Sequence, residues 1–236
     1  MSPLLARWPE QHAAYYFDLD GTLIDTAPDL HAALNAALEA FDFATVTLTE
    51  TRDWVGQGAR KLLHRAASAH RHAHPPAFGE EPLLPLDALP LDAMQACFLE
   101  HYGSAIAEHS EPFPGVVATL DGLRERGAKL AVVTNKPEGL ARQLMEELRL
   151  DDRFDAIVGA DTTPEPKPSA RPAEHTGAAL GVEAEQVLFV GDSVSDVGCA
   201  RAYGCPVVVV SYGYTQGVPA AQLGADAVIE SFAALL

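Results

Sequence analysis

Five or six short apolar runs punctuate the chain, at 13–18, 129–134, 155–159, 187–191, 206–211 and 226–229. They read as continuous rather than alternating, as expected for parallel strands covered by helices on both faces. Between them, 116–126 and 138–150 carry apolar residues at helical spacing with charges opposite. The second follows Pro137, a residue suited to a helix start. Gly127, Gly181 and Gly204 each fall just after a helical pattern, where a left-handed cap is needed. This alternation predicts a doubly wound α/β domain with a parallel sheet. One stretch, 28–111, holds no convincing buried strand. Within it, 29–41 sets Leu30, Leu34, Ala37, Leu38 and Phe41 on one side, and 58–69 and 91–108 are similar. The pattern predicts a helical insertion at 28–111 in a core made of 1–27 and 112–236, hinged near 26–28 and 112–115. The biased run His70-Arg71-His72-Ala73-His74-Pro75-Pro76, continuing to Pro90, reads as an exposed loop rather than a metal patch. No cysteine or acid flanks it at ligand spacing, and its prolines oppose a helix.

Composition narrows the function classes. With 236 residues and 48% hydrophobic content, the chain can bury a core plus a modest insertion. There are 16 Lys+Arg against 33 Asp+Glu, a formal net charge of -17. This speaks against nucleic acid and against anionic membrane surfaces. An anionic substrate meets long-range repulsion, so placed cations must reverse the potential locally. Cys97, Cys199 and Cys205 form no CxxC, which fits a reducing cytoplasm and gives no case for zinc. The first residues lack the apolar core of a signal peptide, and no run approaches a membrane span.

The chemistry concentrates where apolar runs end. The first ends in Asp18-Leu19-Asp20-Gly21-Thr22. Ligand sites of open α/β sheets lie at such strand ends. One of two close carboxylates can attack, the other can shuttle a proton, and both can hold a hard cation such as Mg²⁺. Alone, the motif is equally a turn. Three further pieces follow in order: Val132-Val133-Thr134-Asn135, Pro166-Lys167-Pro168, and Gly191-Asp192-Ser193-Val194-Ser195-Asp196. They add a hydroxyl, a cation and two acids.

These motifs, in this order, resemble the haloacid dehalogenase superfamily. Asp25-Thr26-Ala27-Pro28-Asp29, 54–60, Thr134-Asn135-Lys136-Pro137 and Tyr212-Gly213-Tyr214 are most similar to its bacterial phosphoglycolate phosphatase branch. The resemblance implies a Mg²⁺-dependent phosphate monoester hydrolase whose helical insertion caps the site, with 2-phosphoglycolate as the expected substrate. Asp18 would be the nucleophile and Asp20 the acid and base, which favours an oxygen leaving group. Thr134, Asn135 and Lys167 would bind the phosphoryl group. Asp18, the Asp20 carbonyl and Asp192 would hold the metal. Asp196 would hold metal-bound water, or else act only as a helix-start acid. In the insertion, Arg60 is expected to fork to a substrate carboxylate, or else to be a solvated helix-start arginine. The loop after Lys167 reads Pro168-Ser169-Ala170, without the further proline the family usually has. The resemblance also implies a small-molecule partner and a monomer or homodimer. The alternatives are another small ester such as a sugar phosphate, pyrophosphate, a phosphomutase, or a phosphate-binding scaffold without catalysis.

Overall fold

The computed structural model describes residues 12–69 and 89–236. The histidine-rich run lies outside them. The first strand, β1 (Ala14–Phe17), sits at the centre of a six-stranded parallel sheet. On one side it pairs with β4 (Lys129–Val133), which pairs with β5 (Ala156–Val158). On the other it pairs with β6 (Val187–Gly191), then β7 (Val207–Val210) and β8 (Ala227–Ile229). All six expected strands form. Their alternate residues feed two separate hydrophobic clusters. Tyr15, Phe17, Leu130, Val132, Leu188 and Val190 pack on one face against α5 (Val116–Glu125) and α6 (Glu138–Glu147). Tyr16, Val133, Phe189 and Val207 pack on the other against α7 (Arg171–Leu180) and α8 (Val194–Tyr203). Burial on both faces is why the strands read as unbroken apolar runs.

The expected helical stretch at 138–150 stops earlier, at Glu147. Arg149 takes a φ of 57° and closes the helix end. Gly181 and Gly204 cap α7 and α8 with φ of 66° and 92°, as the sequence suggested.

The insertion is helical: α1 (Ala27–Ala40), α2 (Leu48–Trp54), α3 (Ala59–Ala69) and α4 (Leu91–Ser104). Helix α2 was not anticipated. Its sequence signature is a capping box, in which Thr47 and Glu50 satisfy each other's backbone donors. Helix α1 packs chiefly on α4. Both expected hinges fall beside a feature the sequence did not reveal. β2 (Ile24–Asp25) and β3 (Glu111–Pro112) pair antiparallel and tie the two connections together. Asp29 secures the junction. Its Oδ2 accepts bonds from Ser110 N–H (2.8 Å) and Ser110 Oγ (2.6 Å), and both its oxygens lie 3.0 Å from His109 N. Among the described residues no helix is long and apolar enough to cross a membrane.

Candidate active site

The C-terminal ends of β1, β4 and β6 converge, and the motif residues sit at those ends. Asp18 follows β1 directly. Its Oδ1 accepts from the Leu19 N–H at 2.7 Å and lies 2.9 Å from Lys167 Nζ. Its other oxygen accepts no bond from the described residues. Lys167 also reaches Asp196 Oδ1 at 2.6 Å. Asp192 follows β6. Its Oδ1 accepts from the Thr22 hydroxyl at 3.1 Å, and its Oδ2 from the Tyr214 N–H at 2.5 Å. Gly21, at φ +87°, carries the first loop close to this carboxylate. A Cβ there would lie 2.3 Å from Asp192 Oδ2.

Ser193 caps α8 and Asp196 is its third residue. Asp196 Oδ2 accepts from Ser193 N–H (2.9 Å) and Ser193 Oγ (2.7 Å). The helix-start reading of Asp196 is met by one oxygen, and the other pairs with Lys167.

Thr134 follows β4, buried, and lines one cavity with Asp18 and Asp20. Asn135 bridges two loops, donating from Nδ2 to Gly56 O and Lys167 O, each at 3.2 Å.

Carboxylate oxygens of Asp18, Asp192 and Asp196 lie within 4.8 Å of one another, all three residues buried. Burial raises Asp18 to about 6, against the opposing pull of Lys167. Burial also raises Asp192 well above the ordinary range, with the charges of Asp196 and Asp18 adding to it. Burial alone would lower Lys167, but Asp18 and Asp196 more than offset it and hold the ammonium charged. Three carboxylates thus share one cation. This deficit of positive charge and the all-oxygen donor set fit a hard divalent ion.

One expectation changes. Arg60 is not brought to the cavity. Its neighbours Ala59 and Leu62 line it, but Arg60 projects from another side of α3, half exposed, and pairs with Asp92 at the start of α4. In its place stands Lys136, which the sequence analysis quoted without a role. Its Nζ lies 2.8 Å and 3.1 Å from the two oxygens of Asp20, and Thr26 Oγ1 donates to Asp20 Oδ1 at 2.7 Å. Asp20 and Tyr102 keep Lys136 charged despite its burial. Tyr214 is the other addition. Besides its N–H on Asp192, its hydroxyl donates to Asp25 and accepts from the Ala27 N–H at 3.0 Å. It connects the Asp192 loop to the hinge. The sequence signal for both was their place in quoted motifs.

The model of the haloacid dehalogenase-like hydrolases matches residues 15–210. The chain belongs to this family. This hydrolase is similar to phosphoglycolate phosphatases of Caulobacter vibrioides and Rhodospirillum rubrum. It is 42% identical to the first over 220 residues, covering 93% of this chain and 87% of that one. It is 43% identical to the second over 222 residues, covering 94% and 88%. Among solved structures, the hydrolase resembles a predicted phosphoglycolate phosphatase from Haemophilus somnus. The TM-score is 0.83 and the identity 32%, with 94% of this chain and 96% of that one covered.

Proposed function

We propose that this hydrolase is a Mg²⁺-dependent phosphatase that converts 2-phosphoglycolate to glycolate and phosphate. The observation that carries the reading is the carboxylate pair Asp18 and Asp20, facing one cavity, each held by its own buried lysine. In this reading Asp18 attacks phosphorus through the oxygen that has no protein partner. The ester P–O bond breaks, leaving an aspartyl-phosphate. Asp20 gives its proton to the departing alkoxide oxygen. Lys136 and the Thr26 hydroxyl then stabilise the Asp20 anion that remains. Asp20 next takes a proton from water, which attacks the aspartyl-phosphate and releases phosphate. Thr134, the loop at Asn135 and Lys167 hold the phosphoryl oxygens. Asp18, Asp192 and the Asp20 carbonyl would hold Mg²⁺, with Asp196 beside them. The ion would neutralise phosphoryl charge.

We assign residues 28–111 to a cap and 1–27 with 112–236 to the core. The cap excludes water from the chemistry. A cavity of about 50 Å³ supports a small organic group. The similarity to two phosphoglycolate phosphatases over most of the chain supports the same substrate. The test is phosphate release across a panel of phosphate esters with Mg²⁺ present. 2-Phosphoglycolate should rank at the top by kcat/KM. A clear lead for a hexose phosphate or pyrophosphate overturns the substrate and leaves the phosphatase.

A further inference from the structure

The described residues of the insertion give the cavity almost nothing polar. Leu30, Leu62, Phe98 and Leu99 line it from α1, α3 and α4. The one polar side chain that the described insertion residues contribute there is Tyr102, near the end of α4. Its ring is 1% exposed and stacks on Phe98, with centroids 5.9 Å apart. Its hydroxyl is buried and has no acceptor among the described residues. Buried hydroxyls normally find partners, and an orphan destabilises the fold. Burial pushes this hydroxyl up to about 12, so it stays protonated and able to donate.

Lys136 Nζ lies 4.6 Å from the centre of the same ring. An ammonium has three N–H donors, and Asp20 engages at most two of them. A hydroxyl lacking an acceptor and the Lys136 ammonium, near enough to hold the phenol oxygen, therefore stand together beside Asp20. Among the described residues no arginine lines the cavity.

We propose that Tyr102 Oη and Lys136 Nζ form a carboxylate subsite that makes this hydrolase selective for a two-carbon acid phosphate. The inference rests on the function proposed above and adds which groups read the substrate. With Asp20 at the ester oxygen, the carboxylate of phosphoglycolate is one carbon further on, on the Lys136 side. It supplies the acceptor that Tyr102 lacks. The apolar walls around it discourage hydrated or larger leaving groups.

The test compares kcat/KM for 2-phosphoglycolate with that for 2-hydroxyethyl phosphate, in which an alcohol replaces the carboxylate. The ratio of the two cancels whatever is common to both esters. In Tyr102→Phe the ratio should fall about tenfold to hundredfold, the scale of a hydrogen bond to a charged group. The loss should lie mainly in KM. Inhibition by glycolate should weaken in step, while the ligand-free melting temperature should not drop. A merely structural tyrosine predicts the opposite, a lower melting temperature with an unchanged ratio. If the wild-type ratio is near one, the substrate reading fails and the subsite with it. A high wild-type ratio that Tyr102→Phe leaves intact overturns the subsite alone. Should the variant not fold, a crystal structure of the wild type with glycolate decides. A carboxylate bonded to Tyr102 and Lys136 supports the subsite, and one bound elsewhere overturns it.

Discussion

Replacing Asp18 with Asn should abolish turnover and, in the same stroke, stabilise the metal-free protein. Three buried carboxylates face one ammonium at this site. Burial, with Asp196 and Asp20, outweighs Lys167 and raises Asp18 from 3.8 to about 6. At about 1.36 kcal/mol per pH unit, ionised Asp18 costs the native state about 3 kcal/mol above pH 6. The native carboxyl holds its proton more tightly than the unfolded one. Between about pH 4 and pH 6 the native state therefore binds more protons, and stability falls as pH rises. Below about pH 4 both states are protonated and the penalty disappears. Asn carries no charge, and its Oδ1 can still accept from Lys167 and from the Leu19 N–H, which both use Asp18 Oδ1. In EDTA at pH 8, D18N should exceed the wild type by up to about 3 kcal/mol, and near pH 4 by nothing. Urea unfolding followed by circular dichroism at several pH values measures both. Excess Mg²⁺ should narrow or invert the difference, because the ion stabilises the form that binds it better. A variant no more stable than the wild type at pH 8, or a difference that persists to pH 4, refutes this account.

Three further outcomes are expected. EDTA should remove phosphatase activity and Mg²⁺ restore it, whereas D192N should raise the Mg²⁺ concentration needed for half activation or abolish activity; a Mg²⁺ titration of each protein checks this. Asp20→Asn should slow 2-phosphoglycolate hydrolysis far more than p-nitrophenyl phosphate hydrolysis, since the nitrophenolate leaves without a proton; equal losses on the two substrates contradict Asp20 as the acid. Arg60→Ala should change kcat/KM for 2-phosphoglycolate by less than about twofold, because an exposed pair with Asp92 contributes little; a substrate-selective loss would return Arg60 to the site.

The sheet and most of the candidate site were legible in the sequence for a shared reason. A buried parallel strand is a continuous apolar run, and Asp18, Thr134 and Asp192 sit at the ends of three such runs, so each motif carries its own address. Asp18, Thr134 and Asp192 needed only strand order to be brought together. What escaped depends on contacts between distant segments. The Ile24–Asp25 and Glu111–Pro112 pairing is two residues long, too short for any periodicity. The direction of Arg60 depends on how α3 is rotated against the core, which the pattern of one helix does not fix. Lys136 and Tyr102 were hidden differently. Lys136 sits beside Thr134 and Asn135 but turns to Asp20, and Tyr102 occupies an apolar position of α4 where only its ring counts toward the pattern. The partners that give them meaning, or the lack of one, exist only in three dimensions.

Paired side by side, Ile24 and Pro112 bring both ends of the helical insertion to the spacing of neighbouring strands, about 4.8 Å. To the sheet, the whole insertion is a tight turn. Closure entropy grows only with the logarithm of loop length, about 0.6 kcal/mol for each doubling. Helices can thus be lengthened, shortened or exchanged beyond this hairpin with little effect on the core's stability. Apart from contacts such as that of Asn135 with Gly56 O, changes within the insertion leave the segments that hold Asp18, Asp20 and Asp192 in place, so new selectivity can be tried on an unchanged candidate site.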